Sequence, residues 1–214
     1  VVVTNPPYLN ANRMNAKLTS FLALNYKASK QDMSMAMYHA AIDNLLLKNG
    51  YIAFITPTSW MFSAKFKSIR ELIISQYQFV SLVDCGTELF DGKIGHLYIG
   101  AWVSQKRIPI AFARYVNLTE FCYGRRDEKQ FEFFNVKNQG VFDQGRFKML
   151  PDSPIAYSIS QKTFHFFDSD STLDKCGVAR QGLTTSDNNR FLRLWQEVEF
   201  KEIGFGVKDC CETI

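Results

Sequence analysis

Apolar and polar residues alternate along this chain with two distinct periods. It opens on three β-branched apolar residues, Val1-Val2-Val3, followed by Thr4-Asn5-Pro6-Pro7-Tyr8. Such a run reads as a short strand buried on both faces, and the two prolines forbid its continuation because neither donates a ladder hydrogen bond. Over residues 32–48, Met35, Tyr38, Ala41, Ile42, Leu45 and Leu46 recur at helical spacing, with Asp32 as N-cap and Asn49-Gly50 as the stop. Met33, Met35 and Met37 read as core fillers. Residues 51–55 form a second buried strand, ended by Thr56-Pro57. Ser63 opens a helix to Gln76 that turns Phe66, Ile69, Leu72 and Ile73 inward and Lys65, Lys67 and Arg70 to solvent. Further strands are predicted at 79–83, 96–103 and 108–115.

Strand, helix, strand, helix, strand and then consecutive strands describe two parallel crossovers followed by hairpin-like pairing. The fold class is therefore α/β: the C-terminal half of a doubly wound sheet, with an antiparallel strand near its edge. Residues 9–31 are a polar interruption with one apolar patch, Phe21-Leu22-Ala23-Leu24, long enough to be a functional loop. Residues 117–150 read as a connector with a short strand at 131–136. A helix is expected from Ser153-Pro154 to Phe167, and residues 180–195 are rich in Gly, Thr, Asn and Arg. The chain thus divides into 1–116, 117–150 and 151–214.

Composition narrows the class. With 214 residues, 46% hydrophobic and 21% charged, the chain is globular and long enough to bury a core. A formal charge of +4 is compatible with a polyanionic partner. The five cysteines, Cys85, Cys122, Cys176, Cys210 and Cys211, form no C-x-x-C pair and have no histidines at zinc spacing, so reduced thiols are expected and no metal site. No signal peptide or apolar run of membrane-spanning length is present, and a soluble, cytoplasmic protein with no membrane partner is the expectation. The opening in mid-strand without a methionine reads as the start of a piece excised from a longer protein. No Gly-rich strand-to-helix turn cradles a nucleotide; Gly204-Phe205-Gly206 is a lone G-x-G late in the chain.

The chemistry sits in the Pro-Pro turn, beyond a strand's carboxyl end, where open α/β sheets bind ligands. An exocyclic amine on a purine is a poor nucleophile because its lone pair is delocalised into the ring. An acceptor pair, the Asn5 side-chain oxygen and the Pro6 carbonyl, would hydrogen-bond both N–H groups and favour a tetrahedral nitrogen with its lone pair directed at an electrophile. Asn serves as a neutral acceptor, and Tyr8 offers a face for the base. The competing reading is a structural turn alone.

Asn5-Pro6-Pro7-Tyr8 after an apolar strand resembles the catalytic motif of S-adenosylmethionine-dependent amino-methyltransferases, especially N6-adenine DNA methyltransferases. Leu45-Leu46-Leu47-Lys48-Asn49-Gly50, Ile55-Thr56-Pro57-Thr58-Ser59-Trp60 and Glu88-Leu89-Phe90 are similar to the γ-ordered subgroup, in which the cofactor motif precedes the catalytic turn. Ser153-Pro154-Ile155-Ala156-Tyr157 and residues 179–195 resemble the start of the target-recognition region of large single-chain adenine methylases, those of BREX-type phage defence (the PglX family) and of fused restriction-modification enzymes. The likeness spans nearly the whole chain.

That resemblance implies catalytic roles for Asn5, Pro6, Pro7 and Tyr8, and a flipped adenine in double-stranded DNA held between Tyr8 and Phe90. It implies DNA contacts from Arg180, Gln181, Thr184, Asn188 and Arg190, in a target-recognition region that begins at residue 151. S-adenosylmethionine is the implied cofactor, with its pocket mostly outside these residues, so the isolated piece is expected to be inactive. Alternatives are a protein-glutamine or RNA-base methyltransferase using the same turn, or a catalytically silent DNA- or partner-binding module. A truncated sheet would expose an apolar edge at residues 1–4, for which self-association is expected.

Overall fold

The apolar opening run does become a strand, but not a doubly buried one. In the computed structural model, which describes residues 1–90, 97–106, 112–167, 177, 187, 190 and 192–203, it forms β1 (Val2–Thr4) at the edge of a six-stranded sheet. β1 pairs in parallel with β2 (Tyr51–Pro57), and Val3 is 73% exposed while Val2 and Thr4 are partly buried, so one face of the strand is uncovered. The stretch after Tyr8 is not a plain loop: Asn15 caps α1 (Ala16–Asn25), which buries Leu22. Asp32 caps α2 (Met33–Asn44) as expected, its side chain accepting from the Ser34 N–H.

α3 (Ser59–Phe62) and α4 (Lys67–Gln76) lead to β3 (Tyr77–Gly86), followed by β4 (Ile99–Lys106) and β5 (Phe112–Asn117). β4 inserts antiparallel between β2 and β3, so one antiparallel strand lies inside the sheet as well as one at its edge. β3 and β4 form the expected hairpin-like pair, whereas β5 pairs in parallel with β3 and not with β4. β6 (Gln139–Asp143) closes the far edge antiparallel to β5, which brings the expected 117–150 connector into the sheet. The sheet's order is β1-β2-β4-β3-β5-β6.

One face of this sheet carries the core. Tyr38, Phe54, Trp60, Phe79 and Trp102 pack together, with the Trp60 and Trp102 rings 4.8 Å apart. Both indole N–H groups donate to the Thr56 hydroxyl, at 3.0 and 3.1 Å, and the Tyr38 and Ser104 hydroxyls are 2.8 Å apart. The polar atoms carried into the aromatic core therefore have partners there, as buried polar groups require.

Arg70 was expected outside and is 0% exposed. Its guanidinium donates to the carbonyls of Trp60, Ser63, Asp152 and Ser153, stitching α3 and the 152–153 turn to α4. Burial lowers its pKa, partly offset by Asp152. The same turn displaces the predicted helix start. Asp152 and Ser153 both adopt left-handed backbone (φ 61 and 50), and the Ile155 N–H donates to the Met61 carbonyl at 2.8 Å. Helix formation waits for the Ser160 cap and α6 (Gln161–His165). The strand expected at 131–136 is instead α5 (Lys129–Glu132) and a turn, since β6 already occupies the free edge of β5.

Residues 171–214 form a second compact unit, divided from 1–170. Its described part contains the 3₁₀ turns Trp195–Glu197 and Phe200–Glu202. Among the described residues, no helix is long and apolar enough to cross a membrane.

Candidate active site at the carboxyl ends of β1, β2 and β3

β1 stops where the prolines demand it. Pro6 is buried, Asn5 and Pro7 are exposed, and Tyr8 is half-buried. The Tyr8 hydroxyl donates to Asn5 Oδ1 at 2.7 Å and lies 3.3 Å from the Ile55 carbonyl oxygen of β2. The turn is thereby tied back to the neighbouring strand, and the Asn5 amide is held with its oxygen toward the Tyr8 hydroxyl. An amide oxygen has two lone pairs, so Asn5 Oδ1 keeps one acceptor site for a ligand N–H. Burial, and secondarily Cys85 nearby, push the Tyr8 pKa up to about 12. The hydroxyl is a neutral donor throughout the physiological range.

A cleft of about 810 Å³ opens over the sheet, lined by Ile55, Val83, Cys85, Leu89, Lys129 and Phe133 among others, and Ile55, whose carbonyl oxygen lies 3.3 Å from the Tyr8 hydroxyl, links it to the turn. It joins β2 and β3 to α5 and reaches the loop leaving β3 through Leu89. Phe90 lies on that loop, four residues past Gly86, and is half-buried. Among the described residues the Tyr8 and Phe90 rings make no ring-to-ring contact.

The end of β3 is more polar inside than its sequence suggested. Asp84 is buried, accepting the Tyr157 hydroxyl at 2.8 Å and the Gly86 N–H at 3.2 Å. Burial raises its pKa, and those two bonds and Lys129 offset part of the rise. Burial first, then Asp84, pushes the neighbouring Cys85 thiol up to about 11, which makes it an inert thiol rather than a nucleophile. Gly86 has φ +64, and a Cβ there would come within 2.5 Å of Cys122 Sγ, so this sharp exit from β3 requires glycine. Asp84, Lys129 and Tyr157 were not singled out from sequence. Tyr157 and Lys129 lie 73 and 42 residues from their partners Asp84 and Thr87, beyond any local pattern.

Of the expected DNA contacts, Arg180, Gln181, Thr184 and Asn188 lie outside the described residues. Arg190 is exposed, with its backbone N–H donating to Asp187 Oδ1 at 3.1 Å. Among the described residues no group of three or more His, Cys, Asp or Glu could hold a metal ion.

Comparison with known proteins adds the family context. Residues 1–90, which run from β1 through Phe90, match the family described as Eco57I restriction-modification methylase. Over 213 residues the chain is 33% identical to the adenine-specific methyltransferase PglX of Lacticaseibacillus casei (strain Zhang), covering 96% of this chain and 18% of that protein. It is 32% identical over 219 residues to the adenine-specific methyltransferase BrxX of Escherichia coli O9:H4 (strain HS), covering 96% of this chain and 17% of that protein. The chain thus spans less than one fifth of the length of these curated relatives. Its fold is similar to that of DrdV in a cryoEM structure of a DrdV–DNA complex, with a TM-score of 0.52 at 14% identity over 75% of this chain and 18% of that one.

Proposed function

We propose, from the match of residues 1–90 to the family described as Eco57I restriction-modification methylase, that the whole protein is a DNA methyltransferase acting on the N6 amine of adenine, in a restriction-modification or phage-defence system. The observation that carries the proposal is the Asn5–Tyr8 turn at the carboxyl end of β1, with the Tyr8 hydroxyl holding Asn5 Oδ1 at 2.7 Å.

In this reading the target adenine is flipped out of double-stranded DNA, because its amine is unreachable within the stack. Asn5 Oδ1 and the Pro6 carbonyl accept the two N–H groups, drawing the nitrogen toward tetrahedral geometry and exposing its lone pair. The acceptors are fixed by a proline-stiffened turn, so little reorganisation is needed as charge develops on the amine. The Tyr8 ring supports one face of the base and Phe90 the other. Pro7 stiffens the turn. Arg180, Gln181, Thr184, Asn188 and Arg190 are proposed DNA contacts in a target-recognition region beginning at residue 151.

S-adenosylmethionine supplies the methyl group when bound. The strand-to-helix junctions after β1 and β2 contain no glycine, so these residues do not fit a nucleotide-cradling turn, and we place most of the cofactor pocket outside this chain. The residues here serve the acceptor side. Residues 1–214 alone are accordingly proposed to be inactive and to self-associate through the open edge of β1, where Val1 and Val3 are 87% and 73% exposed. A cytoplasmic location suits an enzyme that acts on DNA.

The test is methyl transfer from labelled S-adenosylmethionine by the whole protein to unmodified duplex DNA, to RNA and to a release-factor-type protein. Label recovered from DNA as 6-methyladenine is the expected result. Label in RNA or protein alone would overturn the proposal in favour of another planar nitrogen.

A further inference from the structure

The loop that leaves β3 is gripped from outside the sheet. Lys129, on α5, is 6% exposed, and its Nζ donates to the Thr87 carbonyl. The Thr87 N–H donates to Cys122 Sγ at 3.2 Å, so the residue is held on both sides of its backbone. One residue on, Glu88 sits in left-handed backbone (φ 58), and its Oε2 accepts the Gly124 N–H at 2.7 Å. The segment 122–129 therefore clamps 87–88, and Leu89 and Phe90 follow directly.

A buried lysine is costly to desolvate, and stability alone seldom favours one. Among the described residues no carboxylate forms an ion pair with Lys129. Its ammonium group is committed to a backbone carbonyl of a loop whose Leu89, two residues on, lines the cleft over β2 and β3. Arg126 and Asp127 of the same segment, and Gln130 next to it, line that cleft as well.

We propose that Lys129 is a positioning residue for the methyl-acceptor site: by locking Thr87 it fixes the start of the loop that carries Phe90, the ring proposed above to face Tyr8, and so how tightly a flipped base is sandwiched. This rests on the methyltransferase reading above. Lys129 touches neither base nor methyl donor in this role; it sets the loop that does. Misplacement of a sandwiching ring loosens the near-attack geometry without removing any acceptor of the amine.

The experiment uses the whole protein. The modified position is first mapped by sequencing DNA methylated by the wild type, and a duplex is then made with 2-aminopurine in place of the target adenine. Lys129→Met is expected to bind this duplex with near wild-type affinity, to give a weaker fluorescence rise on base flipping, and to lose about ten- to a hundredfold in kcat. Lys129→Arg, which keeps a cationic donor, is expected to recover most of both signals. Should Lys129→Met not fold, Glu88→Ala removes the exposed arm of the clamp and is expected to shift kcat and fluorescence the same way by less. Wild-type fluorescence and kcat in Lys129→Met, or in Glu88→Ala where Lys129→Met does not fold, would overturn the inference and leave the methyltransferase reading intact. A wild-type protein that methylates no DNA would sink both.

Discussion

Replacing Tyr8 with Phe separates the two jobs assigned to this residue. The change deletes a hydroxyl that donates to Asn5 Oδ1 at 2.7 Å and lies 3.3 Å from the Ile55 carbonyl, while the ring stays. The first contact is a well-formed bond and the second is at the long end of the range, so about one net hydrogen bond is lost. Such a bond contributes about 0.5–1.5 kcal/mol, and this one sits at a half-exposed residue, which favours about 0.5–1 kcal/mol. If the bond serves to aim Asn5, the loss appears in the transition state as a fall of about two- to fivefold in kcat/KM. Tyr8→Ala also removes the stacking face, a further loss of about 1–3 kcal/mol, or about five- to 150-fold beyond the Phe variant.

The assay is initial-rate methyl transfer to duplex DNA by the whole protein and both variants. Because burial raises the Tyr8 pKa to about 12, the hydroxyl remains protonated at working pH, and the wild-type to Phe ratio should be flat between about pH 6 and 9. For stability the sign runs the same way. A tyrosine raised in the folded state contributes fully below its ordinary value near 10, and that contribution fades as pH rises through about 12. A Phe variant as damaged as the Ala variant would refute the division of roles, and an Ala variant equal to wild type would refute the stacking role.

Three further outcomes follow from the fold. Arg70→Met strands the carbonyls of Trp60, Ser63, Asp152 and Ser153 in a buried setting, and should destabilise the protein by about 3–5 kcal/mol in denaturant unfolding; a loss under about 1 kcal/mol contradicts the stitching role. The fully buried Thr87 hydroxyl has no hydrogen-bond partner among the described residues, so Thr87→Val should be neutral or stabilising by up to about 1 kcal/mol, and clear destabilisation would reveal a partner. Residues 1–214 should elute as a concentration-dependent oligomer in size-exclusion chromatography, and Val3→Lys, a charge on the open edge, should shift them toward monomer; a wild-type monomer at all concentrations opposes edge pairing.

What could be read from sequence was local. Pro6-Pro7 ended β1, Asp32 capped α2, and the periodicity of 51–55 and 63–76 located β2 and α4, since each signal lies within a few residues of what it controls, although Ser63 makes no cap bond and α4 begins only at Lys67. The Asn5–Tyr8 turn was legible for the same reason. Insertion of β4 between β2 and β3 was not, because strand order depends on pairing partners far along the chain. Val3 is exposed although it belongs to an apolar run, because such a run does not say whether both faces of its strand are covered. Arg70 was misassigned to solvent by residue type, yet Phe66, Arg70 and Ile74 are spaced four apart and all buried, so position outweighed chemistry. Ser153-Pro154 looked like a helix start, and the grip of Arg70 on the 152–153 carbonyls holds it in a different backbone. No local pattern marks Lys129, whose meaning comes from Thr87.

Asn5 is the residue proposed to polarise the adenine amine, while the rest of the protein holds DNA. Asn5→Ala in the whole protein separates these two roles when 6-methyladenine formation and duplex binding are measured on the same preparation. Methylation should fall by at least about a hundredfold, as when one preorganised transition-state partner is removed, with duplex affinity nearly unchanged. Methylation retained at wild-type rate by Asn5→Ala would contradict the polarising role.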